Sequence, residues 1–517
     1  MSRRKILTQS QRNSFESLPN AIEELSKHYI FSDDELFLIN ERRRDSNKIG
    51  FAVQICLLKY PGRLLRTDEI PPPEMLRFIG DQISVEPIHF EQYAKRYETL
   101  KEHRQILLQK INVTTFKSSD MKLLIRWLTI IAAENNKPFS LVNILVDEIK
   151  RRKILLPSIQ TIENLVAIAL HRAELMISRS VMDCISEKHI AAMNNLLSIG
   201  QSTYSWLRQP LGYSTPENIL ISIDRLNKIN DLSLPQDVMQ NISVNMRKHI
   251  SREGLRLSIK QLREYSDSKR YTTILITLLE LKKSITDDIL TAHERYFGAR
   301  YNRSKNKFDK NLKDKKRVIK QALDSFTAIG KVLLDSKSNG INPLLTLDKE
   351  INWLDFQSML ADVRELNEPE KQDHLHYLSN SYTQFRRYAP ALLETFEFKT
   401  TPGGQSVMDA INLIRELNRK DKRKIPDDAP TEFIPQRWKQ YILKEDGLDR
   451  HYYEMCALSE LSGRLRAGDI WVHDSNQYQN IESYLVSKQT FNEIKSTNEV
   501  PLAINTCFTE YFELLLP

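Results

Sequence analysis

Glycine is scarce in this chain, at 14 of 517 residues, well under half of its roughly 7% average usage. Sheets, barrels and nucleotide cradles use glycine at tight turns and close backbone approaches, so its scarcity favours helices. The patterning agrees. Thr8 with Gln11, and Ser32 with Glu35, have capping-box spacing, each followed by apolar residues at helical intervals. The 20 prolines mostly sit between such stretches, where they stop helices. Strand-like alternation is rare, with Asp469 to Val472 one short candidate. The expected fold class is mainly α, built of several helical modules that include helix-turn-helix-like units.

The helix-turn-helix expectation rests on residues 39–62. A polar link at Asp45 to Asn47 leads into Ile49, Phe51, Ala52, Val53, Ile55, Cys56, Leu57 and Leu58. That segment is apolar on nearly every side and should be buried, and Tyr60, Pro61 and Gly62 end it. Two helices joined by a short polar turn, the second deeply packed, are compatible with such a unit.

The length exceeds what one hydrophobic core supports. Breaks are expected near Asn136 to Pro138, Pro210 to Pro216, Asn339 to Pro343, and Pro402 to Gly404, with a further stiff break at Pro71 to Pro73. Four segments follow. Residues 1–137 and 138–260 are two helical segments, 261–404 is a basic helical region, and 405–517 is a linker with the start of a scaffold. No fixed repeat period stands out.

Apolar residues make up 41%, enough for real cores. The four cysteines lie far apart, so neither a zinc pair nor a disulfide frame is readable, which fits a reducing cytoplasm. No stretch approaches the roughly 18 apolar residues of a membrane span. The expected location is the cytoplasm, without membrane contact.

Lys and Arg outnumber Asp and Glu by 75 to 67, for a net charge of +8 and a pI near 9.0. Such an excess is informative only when clustered, because clustered cations release counterions from a phosphate backbone. Three clusters stand out. The first is Arg42, Arg43 and Arg44 with Lys48. Arginines at a helix C-terminus also complement its dipole. Lys48, however, would open the next helix, where a cation is unfavourable and an external anion would relieve the conflict.

The second cluster holds Arg300, Arg303, Lys305, Lys307, Lys310, Lys313, Lys315, Lys316, Arg317 and Lys320, against only Asp309 and Asp314. Its net +8 equals that of the whole chain. A solvated helix usually mixes signs, so this run is a candidate phosphate track, with a mobile charged face as the bland alternative. Tyr296, Phe297, Tyr301 and Phe308 are interleaved with it and would pack internally or against the sugar-phosphate edge. The third cluster is Arg415, Arg419, Lys420, Lys422, Arg423 and Lys424, which reads equally as an exposed linker.

Catalytic constellations are thin. His374 and His376 point to different sides of a helix and read as surface histidines. Asp427 and Asp428 are adjacent, so their side chains diverge, whereas paired-metal chemistry needs converging carboxylates. None of the common phosphate-loop, zincin or nucleophile-elbow motifs occurs.

Three passages taken together resemble a known family. They are INERRRDSNKIGFAVQICLLKYPG at 39–62, RKIPDDAP followed by RWKQY between 423 and 441, and HYYEM followed by LRAGDIWV between 451 and 472. In this order and spacing they look like the TnpA-type replicative transposases of the Tn-three family of bacterial transposons, with similarity from Met1 to about Leu485. The resemblance implies proteins about twice this length. Their N-terminal half recognises the terminal inverted repeats and helps pair the ends. Their C-terminal half holds an RNase H-like fold whose acidic triad binds two magnesium ions.

On that footing the chain is expected to be the N-terminal half of such a transposase, at the nucleoid, with helical DNA-binding domains at 1–137 and 138–260 and a DNA-binding and dimerisation region at 261–404. It would bind double-stranded DNA at transposon ends as a homodimer, with no catalytic residue, metal ligand or cofactor of its own; magnesium belongs to the missing catalytic domain. It is then a fragment, a split or decayed gene product, or an engineered piece, inactive alone. The alternatives are a contribution to strand transfer alongside a separate catalytic half, a stand-alone helical regulator that blocks transposition, and a general nucleic-acid scaffold.

Overall fold

The computed structural model describes residues 6–66, 69–93, 97–198, 203–340, 342–366, 373–486 and 491. These are mainly helical, and their named strands form two short two-stranded ladders. The chain divides into two compact units. The first takes residues 1–201 and 234–280, the second 202–233 and 281–517.

The first unit contains two hydrophobic clusters. One gathers Tyr29, Ile39, Phe51, Ile55, Met75, Ile79 and Leu107. The capping box of Ser32 and Glu35 opens the helix Asp33–Asn40 as expected. The next helix, Asp45–Lys59, buries every residue from Ile49 to Leu57. Its apolar circumference leaves no face that could stay in water without cost. Gly50 lies under the Tyr93 ring, where a Cβ would approach within 2.1 Å. Gln54, buried in the same helix, donates to the Tyr93 hydroxyl at 2.9 Å, and that hydroxyl meets His103 Nδ1 at 3.1 Å. Burial, reinforced by the nearby Arg42 cation, lowers the His103 pKa to about 4. The imidazole is therefore neutral near pH 7.

The other cluster combines Leu7 with Leu124 and Leu128, Leu141 and Leu145, and Val166 and Ala169. It joins the helices Ser118–Glu134, Pro138–Arg151 and Ile159–Cys184. Pro138 occupies the first turn of its helix, where its missing N–H costs nothing. Buried Glu163 ties down the N-terminal segment. It accepts from the Leu7 amide at 3.1 Å and pairs with Arg12 at 2.6 Å.

A long helix, Asp267–Ser338, begins in the first unit and continues in the second. In the second unit it packs on the helix Tyr382–Thr395. His293 Nδ1 lies 2.8 Å from the Tyr388 hydroxyl, and Phe297 stacks on Phe385 at 4.9 Å between ring centres. Phe398–Thr400 pairs antiparallel with Ile470–Val472, with Phe398 opposite Val472, so the short strand candidate is real. The helix Arg450–Ala467 is buried around most of its circumference and ends at Gly468, whose φ of +77° is the left-handed cap that glycine adopts readily.

Candidate nucleic-acid interface

In the first cluster the four cations have different surroundings. The Arg42 guanidinium lies 5.0 Å from the centre of the Phe51 ring and pairs with Glu41 at 3.0 Å. Arg43 and Arg44 are exposed at the turn. Lys48 is partly buried and lies 4.0 Å from Asp45. Asp45 sits in the first helical turn, so an acidic group of the chain itself already offsets the lysine there. The conflict that called for an external anion is thus met internally. The second helix is open mainly in its first turn, beside exposed Arg43 and Arg44.

The second cluster lies along the long helix. Arg303, Lys305, Lys307, Lys310, Lys313, Lys316, Arg317 and Lys320 are exposed, while Arg300 and Lys315 are partly buried. At 1.5 Å per residue the run extends about 30 Å, close to one turn of B-form DNA. The aromatic residues interleaved with it pack inward. Tyr296 donates to Gln384 at 3.0 Å, and Phe308 lies 6.4 Å from Tyr377 between ring centres. The Tyr301 hydroxyl lies 2.8 Å from His374 Nε2 and accepts from Arg437 at 3.1 Å. His374 is therefore half buried against Tyr301 rather than a surface residue. Asn311 donates to the Tyr377 hydroxyl at 2.8 Å. The helix His374–Ser379 thus braces the inner side of the run, where the Lys307 ammonium lies 5.2 Å from the centre of the Tyr377 ring.

The third cluster separates by position. Arg415 donates to the Leu393 and Phe396 carbonyls at 2.7 and 2.6 Å and lies over the Phe398 ring. Arg419 pairs with Glu394, and Lys420 with Glu416, each at 2.5 Å. Lys422, Arg423 and Lys424 are exposed. The adjacent Asp427 and Asp428 are exposed as well, and among the described residues no group of three or more His, Cys, Asp or Glu is placed to hold a metal ion.

Two basic features escaped the sequence reading. Lys150, Arg151, Arg152 and Lys153 are consecutive, a signal as plain as Arg42 to Arg44. Arg151 and Arg152 both pair with Glu148 at 2.7 Å, and hydrogen bonds from Arg151 and then Arg152 hold the pKa of that carboxyl down to about 2. The second is the helix Val244–Arg256, whose exposed residues include Lys248, Arg252 and Arg256. Cations four apart on one helix were legible; the residues between them, Glu253 included, hid the stripe.

Residues 6–169 match a family model described as a domain of unknown function, DUF4158. The transposase for transposon Tn501 of Pseudomonas aeruginosa is 33% identical over 517 residues, covering 99% of this chain and 52% of the relative. The transposase for transposon Tn21 of Escherichia coli is 33% identical, with the same shares covered. That of Tn1546 of Enterococcus faecium is 30% identical over 98% of this chain and 52% of the relative. Nearly the whole chain is similar to transposases. The chain spans about half the length of these curated relatives. The similarity does not stop near Leu485, since the match to the Tn501 relative takes in 99% of the chain.

The passages that carry the resemblance from 423 onward all lie in the second unit, where several of their side chains are core. Trp438 and Tyr453 are fully buried, and the Tyr453 hydroxyl donates to the Pro430 carbonyl at 2.9 Å. Buried Glu454 is held by Arg450 at 2.7 Å, Arg386 at 3.4 Å and the Tyr382 hydroxyl at 2.9 Å. Arg450 also donates to Asn418 at 2.9 Å and to the Lys422 carbonyl. The Glu454 network thereby anchors the chain just before exposed Lys422 to Lys424.

Proposed function

We propose that this chain recognises the terminal inverted repeats of a bacterial transposon and helps pair the two ends during replicative transposition. It acts as a homodimer on DNA, in the cytoplasm at the nucleoid. The reading assigns DNA recognition to this chain and no chemical step. One observation carries it. A chain similar along nearly its whole length to transposases presents eight exposed cations from Arg303 to Lys320 on one braced helix. Among the described residues none of these eight cations is in an ion pair, and Asp309 and Asp314 are the only anions within the run. A duplex supplies the missing counter-charge as a regular series of phosphates.

The phosphate contacts of such a track position the protein without reading sequence. Specificity must then come from side chains that reach base edges. Arg43 and Arg44, at an exposed turn, and Lys422 to Lys424 are candidates. The test is a competition at physiological salt between a terminal-repeat duplex and a random duplex of equal length. Preference for the repeat by about a thousandfold or more is expected, as for specific sites in general. Equal retention of both duplexes sinks the reading.

A further inference from the structure

The helix Val244–Arg256 has two sharply different sides. Met246, Ile250, Ser251 and Gly254 are buried. Asn245, Lys248, His249, Arg252 and Arg256 are exposed and, at 100° per residue, fall on one continuous arc. The helix's acidic residue, Glu253, lies outside that arc. It accepts from the Tyr265 hydroxyl at 2.5 Å and lies 3.9 Å from Lys269. The outward face is therefore free of acid, and exposed Val244 and Leu255 flank it.

The helix is also held rigidly. A Cβ added at Gly254 would lie 2.0 Å from the Thr277 hydroxyl and 3.1 Å from a Thr273 methyl, so its backbone sits directly on the long helix. Its first turn is capped by Ser243, which accepts from the Met246 amide at 3.3 Å. The same hydroxyl approaches the Ala133 and Glu134 carbonyls at the end of the Ser118–Glu134 helix. Arg247 lies 3.8 Å from Glu280 on the inner side. The exposed side chains are thus carried on a fixed axis.

We infer that this face lies in the major groove of duplex DNA and reads base edges, with Asn245 and Arg252 as the discriminating side chains. The inference rests on the DNA-binding reading above and adds to its candidate base readers a further surface. The residue types carry the argument. A groove about 12 Å wide admits a helix of about that diameter with its side chains. Arg is the side chain best matched to the paired acceptors of guanine, and Asn to the donor and acceptor of adenine. Asn245 sits in the first turn, the part of a groove-bound helix that contacts bases. Lys248 and Arg256, farther along the same arc, are placed to flank the bases and meet phosphate. The run from Arg303 to Lys320 differs in being far denser in cations, eight of them exposed along about 26 Å of helix, as suits a backbone track.

The test uses the whole chain. Wild-type protein selects duplexes from a randomised pool, and the selected duplex and a scrambled one serve as probes for Arg252→Ala, Asn245→Ala and Arg252→Lys. Each variant is first checked for unchanged helical content and thermal unfolding. Arg252→Ala is expected to lose about tenfold to a hundredfold on the selected duplex. Repeating the selection with it should relax the consensus at one or two adjacent positions. Arg252→Lys keeps the charge but loses the planar fork. It should relax the same positions while holding scrambled duplex as tightly as wild type. If both Arg252 variants return the wild-type consensus at wild-type affinity, the inference falls while the DNA-binding reading survives. Equal weakening of both duplexes by Arg252→Ala, with an unchanged consensus, also overturns it. A wild-type chain that selects no consensus brings down the underlying reading as well.

Discussion

Arg42 and Lys313 are both cations in basic clusters, yet the fold treats them differently. Arg42 is packed over Phe51, paired with Glu41, and close enough to His103 to depress its pKa. Lys313 stands exposed on a helix whose inner face is already braced by His374–Ser379. Clustering in sequence measures how much positive charge is local, not how much of it the protein has already used. Around the turn at 41–48, Glu41 and Asp45 engage two of the four cations. From 303 to 320 eight cations stand exposed, with Asp309 and Asp314 the only anions within the run.

The largest expected effect separates the two regions directly. Replacing Lys313, Lys316 and Lys320 with alanine should weaken DNA binding about a hundredfold at physiological salt, if each neutralises one phosphate. Terminal-repeat and random duplexes should suffer alike, and the unfolding midpoint should not move. A weakening confined to one duplex would make the run a base reader instead.

The next effect belongs to the packed region. His103 has a folded-state pKa of about 4, below its ordinary value of about 6.5. Stability from keeping it neutral is complete above about pH 6.5 and is lost as pH falls from there toward 4, because the unfolded chain takes the proton first. The expected loss is on the order of 3 kcal/mol, read from denaturant unfolding at both ends of the window. His103→Gln should flatten that dependence.

Smaller again, Arg42→Ala should cost about 1–2 kcal/mol of stability, because the guanidinium no longer covers the Phe51 ring and its stem no longer packs there. Arg43→Ala and Arg44→Ala should leave stability unchanged and act on DNA affinity alone. Destabilisation by all three would mean the turn is structural throughout. The smallest effect is assigned to Arg419→Ala, which breaks an exposed pair with Glu394 and should leave the unfolding midpoint almost unmoved.

Much of the fold was legible because it follows from local chemistry. The capping boxes at Thr8 and Ser32 form as spaced, and the apolar run from Ile49 is buried because no side of it is polar. Pro138 was harder to read. A proline in the first turn looks the same whether it opens a domain or a helix within a core, and here Leu124 and Leu141 share one cluster. The state of each cation was not legible at all. Whether Arg415 meets solvent or the Leu393 carbonyl depends on a helix packed beside it, and tertiary neighbours of that kind leave no mark at short range. The Val244–Arg256 face was missed for another reason, since its cations are spaced rather than consecutive.

Salt dependence tests the central claim most directly, because it counts neutralised phosphates instead of inferring them from charge. Binding of wild type and of the Lys313, Lys316 and Lys320 triple alanine variant is titrated against salt on terminal-repeat and random duplexes. The wild-type logarithmic slope should be steep. The variant's should be shallower by about 0.9 for each phosphate it no longer neutralises, equally on both duplexes. Parallel slopes for the two proteins would show that the run is only a solvated face and would contradict the account.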